Sequence, residues 1–304
     1  MALCLVTLLS ASGASLTGAN SVNAFDASNW WTGDLAFNNV SPLLTVGNVN
    51  SFGALSLQQT GDLLVNGTVS SGPQVIDVTG GLVVQNEPFS LAQVSASSSQ
   101  TINAQYLEIN GVDGGSAQIS SFGGDQMIST FGANAAGEGI AVRGASGGSA
   151  FINANAGAQY IDVQNADRMV VDAGTGFANI QDNDGTQAIS LTGSGANALI
   201  LGSPGALAQT FIAGGNVQTV VAGNPGEQGS ITLYGTDSGP YTTLIVSNPI
   251  PGGTQTVSTS GTLTVIGGSA PNNTPTGIFA NGIGGQQTRI QNLHGEIFRL
   301  LVRD

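Results

Sequence analysis

The sequence contains no lysine, and it contains only one cysteine, Cys4, and one histidine, His294. Without lysine, the phosphate-binding loop of P-loop enzymes and Schiff-base catalysis are excluded. One cysteine and one histidine cannot form a Cys/His zinc site or a disulfide framework within one chain. Side chains that carry chemistry are therefore scarce, and the composition says more about architecture than about catalysis.

Charge is scarce as well. Charged residues make up 8% of the 304 residues, and five arginines stand against 18 acidic residues, which gives a formal net charge of −13. This balance argues against nucleic acid and anionic membrane surfaces as partners, because both attract clusters of basic residues. No apolar run reaches the roughly 18 residues of a membrane-spanning helix. The acidic, cysteine-poor composition is typical of an extracellular or cell-surface protein.

The sequence does contain a repeat, carried by three short apolar patterns in a fixed order. A small residue two places before isoleucine marks the first pattern, at Ile119, Ile152, Ile180, Ile212, Ile245 and Ile278. Glutamine two places before an apolar residue marks the second, at Ile102, Ile128, Ile161, Ile189, Val220, Val257 and Ile290. An apolar pair before glycine marks the third, at Leu107, Ile140, Val170, Ile200, Ile231, Leu263 and Ile297. All three patterns keep one period of about 31 residues.

Each pattern predicts a short strand, because apolar and polar residues alternate within it and glycine-rich turns follow it. Three strands in each repeat predict an all-β fold, a three-sided parallel β-helix (β-solenoid) of about ten turns, roughly 50 Å long. The recurrent glutamine predicts a ladder of stacked side-chain amides. The competing fold, a pair of antiparallel sandwiches, does not maintain such a repeat.

The repeat divides the chain into three parts. We expect N-terminal solenoid turns of about 20 residues at 1–90, the regular repeat at 91–288 and a C-terminal cap at 289–304. Residues 1–24 have two open interpretations, a signal segment with an apolar stretch at Leu3–Leu9 or further strands of the solenoid. The cap, an amphipathic helix or a last strand, holds two candidate assembly or binding residues, Phe298 and Leu300.

The residue pattern of the repeats resembles that of a known protein family. The runs Ser15–Phe25 and Gly61–Val69, with the segments Gln100–Ile102 and Gly277–Gly282, resemble the passenger repeats of bacterial filamentous haemagglutinin-like exoproteins. The resemblance covers most of the chain but rests on repeat texture rather than on a site motif. It implies a right-handed β-helix, secretion, and a role in adhesion or in a biofilm matrix. The family's Asn-Pro-Asn-Gly-type secretion motif is not found in this sequence.

Two groups of residues are candidates for chemistry or recognition. The acidic cluster of Asp162, Asp167, Arg168 and Asp172 suggests a carbohydrate-cleaving groove, since β-helical lyases and hydrolases use clustered carboxylates. The competing interpretation is that such residues form turns, as for the Asp-Asn-Asp-Gly run at 182–185, which also faintly suggests a calcium loop. The pair Trp30 and Trp31 could stack on a sugar or a partner subunit, or anchor a loop.

From these observations we expect no catalytic residue, no metal site and no cofactor. The predicted function is that of a non-enzymatic extracellular structural or adhesive protein that assembles with itself, end to end, into a fibre or a biofilm-matrix filament. Low charge favours this assembly, because it leaves strand edges poorly protected. Two alternatives stay open: a passenger fragment that binds host or cell-surface glycans, and a polysaccharide-active β-helix enzyme.

Overall fold

The computed structural model describes residues 5–10, 12–29, 33–237, 242–247, 253–268, 276–280, 287–292 and 299–301. Within these ranges the chain is all-β. In chain order the strands are β1 Leu5–Ser10, β2 Ala14–Asn20, β3 Ala24–Asn29, β4 Leu35–Asn39, β5 Leu43–Ser51, β6 Leu55–Gln59, β7 Asp62–Val65, β8 Thr68–Ser71, β9 Gln74–Val78, β10 Gly81–Gln85, β11 Leu91–Ala96, β12 Gln100–Ala104, β13 Tyr106–Gly111, β14 Ser116–Ser121, β15 Gln126–Thr130, β16 Glu138–Gly144, β17 Ser149–Ala154, β18 Gln159–Gln164, β19 Arg168–Asp172, β20 Phe177–Asp182, β21 Thr186–Thr192, β22 Ala198–Leu201, β23 Thr210–Gly214, β24 Val217–Ala222, β25 Ser230–Tyr234, β26 Thr243–Ser247, β27 Thr254–Thr259, β28 Thr262–Ile266, β29 Thr276–Ala280, β30 Gln287–Asn292 and β31 Arg299–Leu301.

The strands form a parallel solenoid. From β7 to β28, each strand pairs in parallel with the third strand after it along the chain. We call the series that runs from β7 through β10 to β31 ladder 1, and the series from β8 through β11 to β29 ladder 2. Ladder 3 is the 11-stranded sheet from β2 through β4, β6 and β9 to β30. These pairings confirm the predicted all-β, parallel β-helical class.

The first coils are shorter and contain two strands each. β1, β3 and β5 pair in series, and the long strand β5 then pairs through Leu43–Val46 with β7 and through Val49–Asn50 with β8. The single strand β5 is thus followed by two strands, β7 and β8, which are separated at Gly67. An added Cβ at Gly67 would collide with the carbonyl oxygen of Gly47 in the preceding coil. Leu44 pairs with Leu63 and Leu63 with Leu82, two steps of 19 residues, in line with the shorter turns expected in this region.

The strand pairing also tests the register of the sequence repeat. The first two marker series pair residue by residue at every step, as Ile119 with Ile152 and Ile102 with Ile128 illustrate. The third series was wrong at two positions, because Ile140 pairs with Met169 rather than Val170, and Met169 with Leu199 rather than Ile200. A shift of one residue places the marker on the opposite face of its strand. The pairing of β16 with β19, where the first error occurs, also contains a β-bulge between Glu138 and Ile140. Ile297 lies outside the described residues.

The core is a set of stacked like residues inside the coils. In most of the described strands alternate residues are buried, as in Ser149–Ala154, where every second side chain faces inward. In the first coils the rings of Phe25 and Phe37 stack, with centroids 4.1 Å apart. Further along, one inner row of ladder 3 consists of β-branched residues, namely Ile76, Ile102, Ile128, Ile161, Ile189, Val220 and Val257.

The predicted glutamine ladder is present. From Gln100 onward, each amide Nε2 donates to the Oε1 of the ladder glutamine one coil earlier, at 2.7 to 2.8 Å. The same nitrogen also donates to a backbone carbonyl of ladder 2, for example Gln126 to Asn153 at 3.1 Å and Gln187 to Ala213 at 3.0 Å. The ladder therefore ties successive coils together and ties ladder 3 to ladder 2. Its members are Gln74, Gln100, Gln126, Gln159, Gln187, Gln218 and Gln255.

Acidic and amide side chains at the corners hold neighbouring coils in register. The Oδ1 atoms of Asp34, Asp62 and Asp125 each accept a hydrogen bond from a backbone N–H in the next coil, at 2.8 to 2.9 Å. The Oδ1 of Asn48 accepts in the same way from Thr68, at 3.2 Å. These bonds satisfy backbone groups where the strand ladders are interrupted, so several acidic residues have a structural role.

Replacement of one ladder glutamine tests the contribution of the ladder to stability. We expect Gln159→Leu to lower the free energy of unfolding by about 2 to 5 kcal/mol, because the buried Oε1 of Gln126 and one amide N–H of Gln187 lose their ladder partners. Urea denaturation of the purified chain measures this loss. Gln164→Leu is the matched control, since Gln164 lies on the same strand with an exposed side chain, and it should change stability by less than about 0.5 kcal/mol. Equal effects of the two substitutions would contradict the assigned role.

Candidate functional site

The structure divides the predicted acidic cluster between two walls. Arg168 and Asp172 lie on β19 in ladder 1, and Asp167 lies in the corner just before them. Asp162 lies on β18 in ladder 3, where its Oδ1 accepts a hydrogen bond from the Ser190 hydroxyl at 2.7 Å. Asp172 accepts a hydrogen bond from the Ser203 hydroxyl at 3.0 Å. The four residues therefore do not form one constellation, and two of their carboxylates are bound to neighbouring hydroxyls.

Arg168 instead belongs to a charged group that the sequence analysis did not identify. The Glu138 Oε1 accepts from the Arg143 guanidinium at 2.5 Å and from the Arg168 Nε at 3.2 Å. The Asn134 amide donates to the Glu138 Oε2 at 3.1 Å and to the Glu108 Oε1 at 2.7 Å. We call these five residues the Glu138 cluster. A signal was available in the sequence, since Glu138 and Arg168 are 30 residues apart, which is one repeat.

The electrostatics of the Glu138 cluster favour a structural role. Burial alone would raise the pKa of Glu138, but hydrogen bonds from Arg143 and Asn134 and the charges of Arg143 and Arg168 outweigh it, so that its pKa lies below the ordinary value. A general acid needs a pKa near the working pH, whereas this carboxyl group stays ionised. Its side chain is 5% exposed and engaged on both oxygens. The cluster therefore joins the 131–138 segment to the wall rather than presenting a reactive carboxylate.

Asp182 is a second buried carboxyl group, with the opposite electrostatics. It is 2% exposed, and burial raises its pKa above the ordinary value. Its Oδ1 accepts a hydrogen bond from the Gly185 N–H at 3.0 Å, whereas its Oδ2 has no partner among the described residues. The bond to Gly185 is the turn interaction that the sequence analysis weighed against a calcium loop. Within the described ranges, no group of three or more His, Cys, Asp or Glu side chains is arranged to hold a metal ion.

Two open cavities lie on the outer surface. One, of about 450 Å³, lies among corners of the later coils and is lined by Pro204, Tyr234, Asp237 and Ile266, together with glycines. The other, of about 430 Å³, lies on the outer face of ladder 3 in the early coils. It is lined by amides, hydroxyls, one carboxylate and one aromatic ring, namely Asn38, Gln58, Gln59, Thr60, Asp77, Val78, Thr79, Asn103 and Phe131. We refer to the second cavity as the ladder 3 trough.

The remaining candidate residues from the sequence are the two tryptophans and the two apolar residues of the expected C-terminal cap. Trp30, Trp31 and Phe298 lie outside the described residues. Leu300 lies on β31, where it pairs with Val265 of β28. Strands β1, Leu5–Ser10, and β2, Ala14–Asn20, pair with β3 and β4 respectively. Among the residues that the structure describes, no helix has the length and apolarity to cross a bilayer.

The substitution Glu138→Gln tests the salt bridges of the cluster. We expect it to lower stability by about 1 kcal/mol near pH 7, because both arginines lose their partner while remaining partly exposed. Since the pKa of Glu138 is lowered on folding, its contribution is present above the ordinary glutamate range and is lost as the pH falls through the lowered folded pKa. Urea unfolding of wild type and variant, with exposed Glu87→Gln as control, measures this. A difference that persists at strongly acidic pH would contradict the account.

The substitution Asp182→Asn should change the pH dependence of stability in the direction opposite to Glu138→Gln. Because the pKa of Asp182 is raised on folding, its charge disfavours the folded state above the raised pKa, and this penalty disappears as the pH falls through it. Asparagine keeps the acceptor for the Gly185 N–H without the charge. The new amide nitrogen takes the place of the buried Oδ2, which has no partner among the described residues, and this adds a cost that does not depend on pH. We therefore expect the stability of the variant relative to wild type to increase as the pH rises through the raised pKa of Asp182. A variant that is less stable by the same amount at every pH would refute this.

We compared the chain with protein-family models, with curated proteins and with solved structures, and none of the three comparisons finds a match. The resemblance to filamentous haemagglutinin-like repeats therefore stays a prediction from the sequence, and the function has to be argued from the fold and its surfaces.

Proposed function

We propose that this chain is a non-enzymatic structural and adhesive rod that acts outside the cell and associates with itself, end to end, into a fibre or matrix filament. The rod would be a right-handed, three-sided β-helix of about ten coils. Ladders 1, 2 and 3 support three faces, and the right-handed preference of parallel crossover connections supports the hand. The observation that carries the proposal is the uninterrupted stack of like residues, above all the seven-membered glutamine ladder.

Self-association follows from the repeat itself. In a parallel coil stack, the edge of an end coil carries backbone N–H and C=O groups that can pair with a strand of a second copy. Exposed strand edges are normally guarded by charges, especially lysine. This chain has no lysine and is only 8% charged. The first strands, β1 and β2, carry no charge, whereas the last strands carry Arg289 and Arg299, so one copy can extend the ladders of another without bringing like charges together.

The two other functions differ in what supports them. An enzyme that acts on polysaccharides needs accessible carboxylates with separate acid and base roles. Here Glu138 is covered by its arginines, and Asp162 is bonded to Ser190. New reducing ends or unsaturated products from a polysaccharide panel, abolished by Asp162→Ala, would establish such an enzyme and overturn the non-enzymatic proposal. Binding of a cell-surface glycan is compatible with an adhesive rod and is supported by the ladder 3 trough.

Electron microscopy of the purified chain over a concentration series tests self-association. We expect short rods to lengthen into filaments with an axial repeat near one rod length, about 50 Å. Leu8→Lys should abolish filaments, because Leu8 packs toward the core at one edge of the stack and an inward charge blocks strand addition. Leu9→Lys is the matched control on the same strand, since Leu9 is 74% exposed. Isolated rods at every concentration, or equal effects of the two variants, would refute end-to-end assembly.

A further inference from the structure

The ladder 3 trough is formed by one outward row of polar side chains. Asn38 pairs with Gln58, Gln58 with Asp77, and Asp77 with Asn103, each one coil further along the rod. At about 4.8 Å for each coil, the row extends for roughly 14 Å parallel to the rod axis. Phe131, which is 49% exposed, closes the far end from the corner that follows β15.

The row keeps unused hydrogen-bonding capacity. The Asn103 amide donates to the Asp77 Oδ1 at 2.7 Å, which fixes the planes of both groups. The Asp77 Oδ2, the Asn103 carbonyl oxygen and the Gln58 amide make no side-chain hydrogen bond within the part of the chain that the structure describes. The Thr79 hydroxyl accepts from the Gly61 N–H at 3.0 Å and keeps its own proton to donate. The trough therefore offers both donors and acceptors.

We propose that the ladder 3 trough binds a neutral oligosaccharide that lies along the rod axis. The carboxylate and amide groups of Asp77, Asn103 and Gln58 would pair with sugar hydroxyls, which act as both donors and acceptors. The ring of Phe131 would pack against the apolar C–H face of a sugar ring. A few well-placed polar groups beside an apolar surface are what a small-molecule site requires. This inference rests on the adhesive part of the proposed function and names its partner.

Charge decides between neutral and acidic glycans. The trough contains the Asp77 carboxylate and no basic residue, and the whole chain has a net charge of −13. A uronic acid or sulfated sugar would bring like charges together, which is unfavourable and is only partly screened at physiological salt. The trough therefore favours uncharged hexose or N-acetylhexosamine chains over acidic ones.

Isothermal titration calorimetry with cellohexaose, chitohexaose and mannohexaose tests the site, with hexagalacturonate as the acidic comparison. We expect saturable binding of at least one neutral oligosaccharide and no binding of hexagalacturonate. Asp77→Ala and Phe131→Ala should each weaken binding about tenfold or more, which corresponds to about 1.4 kcal/mol. Thermal unfolding of each variant shows whether the fold is intact.

Two matched controls separate the trough from general effects of the wall. Asp162→Ala removes a carboxylate from the same outward row of ladder 3, three coils after Asp77 and outside the trough. Phe122→Ala removes a corner phenylalanine that is 52% exposed and does not line it. Both variants should bind like wild type.

The outcomes distinguish this inference from self-assembly. Absence of binding to all three neutral oligosaccharides, or equal losses in trough and control variants, would overturn the inference. Filament formation, scored by microscopy with Asp77→Ala, should be unchanged, because Asp77 lies on a side wall. Oligosaccharide binding without filaments would overturn end-to-end assembly and support the binding site in the ladder 3 trough. Filaments without oligosaccharide binding would support end-to-end assembly and overturn the binding site.

Discussion

The rest of this structure depends on one constraint: in a parallel stack, every inner residue lies about 4.8 Å from its counterpart in the next coil. Side chains that can hydrogen-bond to an identical side chain in the next coil are therefore favoured. Glutamine can do so because its amide both donates and accepts. The buried row from Gln74 to Gln255 uses this property with Nε2–Oε1 distances of 2.7 to 2.8 Å. A buried row of carboxylates could not stack in this way, and Asp182 lies in a row that otherwise holds small residues such as Ala154 and Ser247.

The same constraint explains how the chain uses its acidic residues. Asp34, Asp62 and Asp125 accept backbone hydrogen bonds across coils at the corners, and Glu138 holds two arginines against the wall. These acidic residues therefore have structural roles in holding the coils in register.

Much of the fold could be predicted from the sequence, because a stack repeats its own pattern. The Ile119 and Ile102 series identified their pairing partners at each step. The third series failed where Met169, Val170 and Val171 are all apolar, so that alternation could not select the inner face. The spacing of Glu138 and Arg168 follows the repeat, but Asn134 of the Glu138 cluster and Phe131 of the ladder 3 trough lie in a corner segment, whose position on the wall the repeat does not predict. Asp162 illustrates the same limit, since nearness to Arg168 in the sequence did not place it on the same ladder.

Small-angle X-ray scattering of the dilute chain tests the central claim, that the chain is one continuous stack of coils held in register, most directly. The account predicts an elongated particle, about 50 Å or more along its axis, whose cross-section is the same at every concentration. A compact, nearly spherical particle, or two separate bodies joined by a linker, would contradict it.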